Sequence, residues 1–173
     1  MPDDVSDPTA RGGYGSSVDQ LPKSMVKVVR APADDSRLLM WAGRPGVRLL
    51  DFHEHQQLDR ASLQRFPQNG DGSIVWSSVP PALVVRAERD DERAIGDFLR
   101  EDGDVVIMWS TLALPSVSLS AAETSARISE IVATDPLLWL YRPDQHLVLE
   151  RNYFEDTTIV ARIPQHQGQC HSA

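Results

Sequence analysis

His53, Glu54 and His55 are the residues whose types and spacing come nearest to chemistry. In an extended segment side chains alternate, so histidines two apart share one face and their imidazoles could converge on a metal ion. A third ligand is missing at any characteristic spacing. The stretch from His53 to Phe66 is polar, with Leu58, Leu63 and Phe66 too sparse to define a helix. The pair therefore also reads as part of a solvated connector, and no metal or cofactor is assigned to it. His166, Cys170 and His171 carry ligand chemistry in a stretch too short to hold a site, and they receive no role. No glycine-rich phosphate loop and no nucleophile elbow stands anywhere in the sequence. Catalysis by scattered carboxylates leaves little local pattern and stays open.

The second chemical feature is charge. Between Glu88 and Asp104 lie eight acids and three arginines, a net of −5 within 17 residues, out of −8 for the chain. Asp90, Asp91 and Glu92 stand where a helix should begin, and acids there complement its dipole by about 0.3–1 kcal/mol each. Glu101, Asp102 and Asp104 gather where the same helix should end, where the dipole disfavours negative charge. A solvated turn around Asp102 and Gly103 is the ordinary account of them. A surface kept acidic for a basic partner is the functional one.

Length and composition bound the elements that must position these groups. The chain has 173 residues, 41% apolar and 24% charged, which suits one globular domain able to bury a core without staples. A pI near 5.0 and no cluster of Lys and Arg argue against nucleic-acid binding. Apolar runs such as Val105 to Trp109 and Leu137 to Tyr141 fall far short of the roughly 20 residues a membrane span needs. The lone cysteine leaves no intramolecular disulfide and suits a reducing compartment, and no secretory signal opens the sequence, so a cytoplasmic location is expected.

Residues 1–24, rich in Gly and Ser, read as a flexible lead-in, 25–163 as a single domain, and 164–173 as a flexible tail. Trp41 with Pro45, Trp76 with Pro80 and Trp139 with Pro143 each mark an apolar run that meets a turn, and three hairpins are expected there. Strands are expected at Met25 to Arg30, Arg37 to Trp41, Val47 to Phe52, Ser73 to Ser77 and Ala82 to Ala87. Further strands are expected at Val105 to Ser110, Leu137 to Arg142, Leu147 to Arg151 and Thr157 to Ile163. The unalternating Val105 to Ser110 run reads as a central strand, buried on both faces. Ala94, Ile95, Phe98 and Leu99 form one stripe of a helix over about Asp91 to Glu101, with Asp90 as N-cap. Ser120 and Glu123 fit a capping box that starts a second helix ending before Pro136, with Ala122, Ile128, Ile131 and Val132 on its buried side. The fold class is α+β, a mainly antiparallel twisted sheet built from hairpins with about two helices packed on one face.

In size, acidity and lack of catalytic motifs, with Asp97, Glu101, Asp102 and Asp104 on an acidic helix and Trp109 a nearby anchor, the chain resembles the immunity proteins that neutralise bacterial toxins. That resemblance implies a non-catalytic, bacterial protein-binding protein that plugs the basic cleft of a toxin, a nuclease or nucleotide-degrading enzyme being the usual target. Two other classes compete with it: a small-ligand binder or metal-dependent enzyme using His53 and His55, and a structural subunit of an assembly.

Overall fold

The computed structural model describes Trp41 and residues 44–89, 91–110 and 114–165. The strand expected at Met25 to Arg30, that at Arg37 to Trp41 except for Trp41 itself, the Asp90 cap, the lead-in and nearly all of the tail fall outside these residues. Among the described residues seven strands form one open sheet: β1 (Arg48–Leu49), β2 (Val84–Glu88), β3 (Asp104–Trp109), β4 (Val117–Ser120), β5 (Leu137–Arg142), β6 (Leu147–Asn152) and β7 (Thr157–Arg162). Their spatial order is β1-β4-β3-β5-β6-β7-β2, and every neighbouring pair is antiparallel. With the four helices of the described residues, α1 (Phe52–Ala61), α2 (Asp91–Phe98), α3 (Ala121–Ala126) and α4 (Ile128–Thr134), this is an α+β fold.

Alternation along the strands divides the core in two. Val105, Ile107 and Trp109 of β3, with Leu138 and Leu140 of β5, pack against Ile95 and Phe98 of α2 and Ile131 of α4. The opposite face carries Val106, Met108, Trp139, Tyr141 and Val148, covered by Leu63, Phe66, Ile74 and Val79 from the segment after α1. Both faces of β3 and β5 are therefore dry, which is why these strands read as unbroken apolar runs. The β5–β6 hairpin, the β7 strand and the stripe of α2 stand where the sequence puts them.

Several local expectations are corrected. Of the strand expected over Val47 to Phe52 only Arg48–Leu49 pairs in the sheet, because Asp51 caps a helix that begins at Phe52, and the helix expected to about Glu101 ends at Phe98. The hairpin over Ser73 to Ala87 is absent: Trp76–Ser78 and Pro81–Leu83 form 3₁₀ turns, and Val84–Glu88 pairs with β7 instead. Prolines 80 and 81 lack the amide hydrogens a ladder needs, whereas β7 offers a full edge. The polar stretch after Phe52 is helix α1, started by a capping box in which Asp51 accepts from the Glu54 amide at 2.7 Å and Glu54 accepts from the Asp51 amide at 3.0 Å. The helix expected after Ser120 breaks at Arg127 into α3 and α4. Ser120 caps the Glu123 amide as expected, but the Glu123 carboxylate accepts from Arg127, and Ala122 is exposed while Ala121 and Thr124 are buried.

Candidate functional site

The acidic end is built on one buried arginine. Leu138, Leu140 and Arg142 alternate onto the α2 face of β5, so Arg142 leaves the last position of the strand pointing beneath the end of α2. Its side chain is fully buried. Nη1 donates to the carbonyls of Phe98 at 3.1 Å and Glu101 at 2.9 Å, and Nη2 donates to the carbonyl of Asp102 at 2.7 Å. The end of a helix leaves carbonyls without intrahelical donors and carries the negative end of the dipole. The guanidinium supplies both the missing donors and the missing positive charge. Nε and Nη2 also meet the Asp144 carboxylate at 3.3 and 3.2 Å, and that hydrogen bond holds its carboxyl below the usual carboxylate range. Gly103, at φ +134°, lets the chain turn over this group.

Above the arginine the carboxylates face solvent. Glu101, Asp102 and Asp104 are all exposed. Glu101 accepts from the Gln145 side chain at 2.9 Å, and neither Asp102 nor Asp104 has an ion-pair partner among the described residues. No protein-family model and no curated protein matches the sequence. The site therefore stands on its geometry: the puzzle of acids at a helix C-terminus is answered by the cation under the backbone, which leaves the side chains unneutralised.

Two residues assigned to this surface by sequence do not belong to it as free contacts. Asp97 is half-buried and bridges Arg86 of β2 and Arg100, and its hydrogen bond from Arg86 holds its carboxyl low. It ties α2 to the sheet. Trp109 is 4% exposed, and its indole N–H donates to the Pro115 carbonyl at 3.0 Å, so it is a core residue with its polar atom satisfied and cannot anchor a partner.

His53 and His55 are not brought together. They sit on a helix, where a spacing of two turns side chains away from one another by about 200°. His53 Nε2 meets the Gln57 side chain at 3.1 Å, while His55 stacks on Phe52 and its Nδ1 meets Ser116 Oγ at 2.7 Å. Burial lowers the His55 pKa, with Asp59 opposing. His55 and Asp59 border a cavity of about 160 Å³ with Asp71, Ser110 and Trp139. Among the described residues no group of three His, Cys, Asp or Glu side chains forms a cation site, and no helix is long and apolar enough to cross a membrane.

Sequence reading missed the residues that organise the molecule. Glu150, 1% exposed, accepts from the Ile74 amide at 2.7 Å and from the indole N–H groups of Trp139 and Trp76 at 2.8 Å each. It fastens the segment around Ile74 to the sheet, and burial raises its pKa despite three donors. Its signal was a carboxylate inside Leu147–Asn152, on the face shared with Val148; for Arg142 it was a cation closing the run Leu137 to Tyr141.

Proposed function

We propose that this chain is a non-catalytic protein-binding protein whose acidic end, Glu101, Asp102 and Asp104, engages a basic protein surface. One observation carries the reading: the exposed carboxylates of Asp102 and Asp104 ride on a turn whose carbonyls are held by the buried Arg142. A turn whose backbone is already ordered loses less entropy on docking, and unneutralised acids steer a basic partner and discriminate against acidic ones. The resemblance in kind to immunity proteins extends this to inhibition, with the acidic end entering the cationic cleft of a toxin or other enzyme in a bacterial cytoplasm.

Affinity capture from the native organism's lysate tests it, using the native chain and a Glu101→Gln/Asp102→Asn/Asp104→Asn bait side by side at physiological salt. A basic protein retained by the first and lost by the second is the expected result. Equal recovery on both baits would reduce the acidic end to a solvated turn.

A further inference from the structure

The β6–β7 turn presents what the rest of the surface hides. Among the described residues the large apolar side chains left exposed are Val85, at 50%, and the adjacent pair Tyr153 and Phe154, at 67% and 75%. The turn that carries the pair is held at both ends. Asn152 is 3% exposed, and its Oδ1 accepts from the amides of Phe154 at 3.1 Å and Glu155 at 3.3 Å. The Tyr153 amide donates to Pro136 and the Asp156 amide donates back to Tyr153, at 2.8 and 3.2 Å. The Arg151 guanidinium lies 5.6 Å from the centre of the Tyr153 ring and is itself fixed by Asp91 at 2.8 Å.

Two adjacent aromatics on a rigid turn cost hydration where they stand and would lose little entropy on burial. They are also among the residue types that dominate binding energy at interfaces. Glu155 and Asp156, both exposed, follow them directly. That charge selects the partner: acids beside the rings are repelled by anionic headgroups and attracted by Lys and Arg.

We propose that the β6–β7 turn is an aromatic anchor, Tyr153 and Phe154 entering an apolar pocket of a protein partner whose rim of Lys and Arg meets Glu155 and Asp156. The inference rests on the chain being a partner-binding protein and adds a second contact to it. The turn lies at the Leu137–Asn152 end of the β5–β6 hairpin and the acidic end lies beyond Arg142 and Leu147. The two contacts therefore stand at opposite ends of the hairpin, separated by more than its five residue steps of about 17 Å.

The test places a p-benzoylphenylalanine photo-cross-linker at Phe154 of the full chain, with the same group at exposed Gln64 as control, in native lysate. Unlabelled competitors are the native chain, Tyr153→Ser/Phe154→Ser, and Glu101→Gln/Asp102→Asn/Asp104→Asn. Both aromatic rings are exposed, so the serine variant should melt with the native chain, and circular dichroism checks that. The expected result is one adduct specific to position 154, joined beside Lys or Arg of the partner. Native chain should displace it, and the serine variant should compete roughly tenfold or more weakly, as loss of a hot-spot pair implies. Several outcomes overturn the proposal: adducts no different from those at Gln64, equal competition by the serine variant, or an adduct of two copies of this chain. Flotation with phosphatidylcholine–phosphatidylglycerol vesicles that depends on the two rings would also overturn it, in favour of a membrane. A serine variant that fails to compete beside an acid-neutralised variant that competes fully keeps the anchor and removes the acidic end; the reverse pattern removes the anchor alone.

Discussion

A Cβ placed on Gly103 would stand 2.8 Å from Nη2 of Arg142 and 2.6 Å from Oδ2 of Asp144. The turn bearing Asp102 and Asp104 thus passes so close over a buried cation that a Cβ would have to displace the ends of both side chains, and it does so in a backbone conformation that other residues rarely adopt. Gly103→Ala combines both costs and should destabilise the protein by about 3 kcal/mol, read from urea unfolding. A loss below about 0.5 kcal/mol would mean that the turn relaxes freely and is not a rigid platform.

Removing the cation should be at least as damaging. Arg142→Met retains much of the side-chain length but leaves the carbonyls of Phe98, Glu101 and Asp102 without their donor, and a loss of about 3–5 kcal/mol is expected. Hydrogen exchange should show the end of α2 opening before the β5–β6 ladder does. Coincident opening of both would show that the arginine supports the whole core and not this end.

Asp144 ties the same cluster to acid stability. Its folded pKa lies below the ordinary 3.8, so the unfolded chain binds the proton more tightly. The contribution is complete above that value and disappears as pH falls through the folded one. Asp144→Asn should flatten the acid limb of stability below about pH 4, measured by thermal melts across pH.

Glu150 and His55 should produce opposite slopes. Burial raises the folded pKa of Glu150 above 4.5, so the native state binds its proton more tightly and stability declines as pH rises from 4.5 through the raised value. Burial lowers the folded pKa of His55 below 6.5, so its contribution is complete above 6.5 and is lost as pH falls towards the lowered value. Glu150→Gln removes the first slope and His55→Gln the second, and unfolding curves between pH 4 and 7 distinguish them. Unchanged slopes in both variants would show that neither group titrates differently on folding.

Glu150→Gln has a further, pH-independent consequence. An amide nitrogen replaces one acceptor facing the indole N–H groups of Trp76 and Trp139 or the amide of Ile74, so a buried donor loses its partner at about 1–3 kcal/mol. Tryptophan emission should shift red as the segment around Trp76 loosens; unaltered emission and stability would argue against a fastening role.

The elements whose apolar residues lie close together in sequence were legible. The stripe Ala94, Ile95, Phe98 marked α2, the unbroken Val105 to Trp109 run marked β3 as an interior strand buried on both faces, and Pro143 to Gln145 marked the β5–β6 turn, because each signal is complete within one or two turns of chain. Helix α1 was missed although its capping box, Asp51 with Glu54, was in plain view: none of its side chains is fully buried, so it shows no strong stripe. The hairpin assigned around Pro80 failed for a different reason. A strand's propensity is local, whereas its partner is a property of the sheet, and Val84–Glu88 joined β7, its paired residues 70 to 77 positions away.

The candidate site divides along the same line. Sequence alone determined that negative charge accumulates around residues 97–104 at the end of a helix, since charge and helical periodicity are read residue by residue. Tertiary structure decided which of those acids are free. It spent Asp97 on Arg86, buried Trp109, set His53 and His55 on different sides of a helix, and brought Arg142 from 40 residues away to hold the turn under Asp102. These relationships depend on strand register and on which face each residue turns toward its neighbours, and both are established only when distant segments pack.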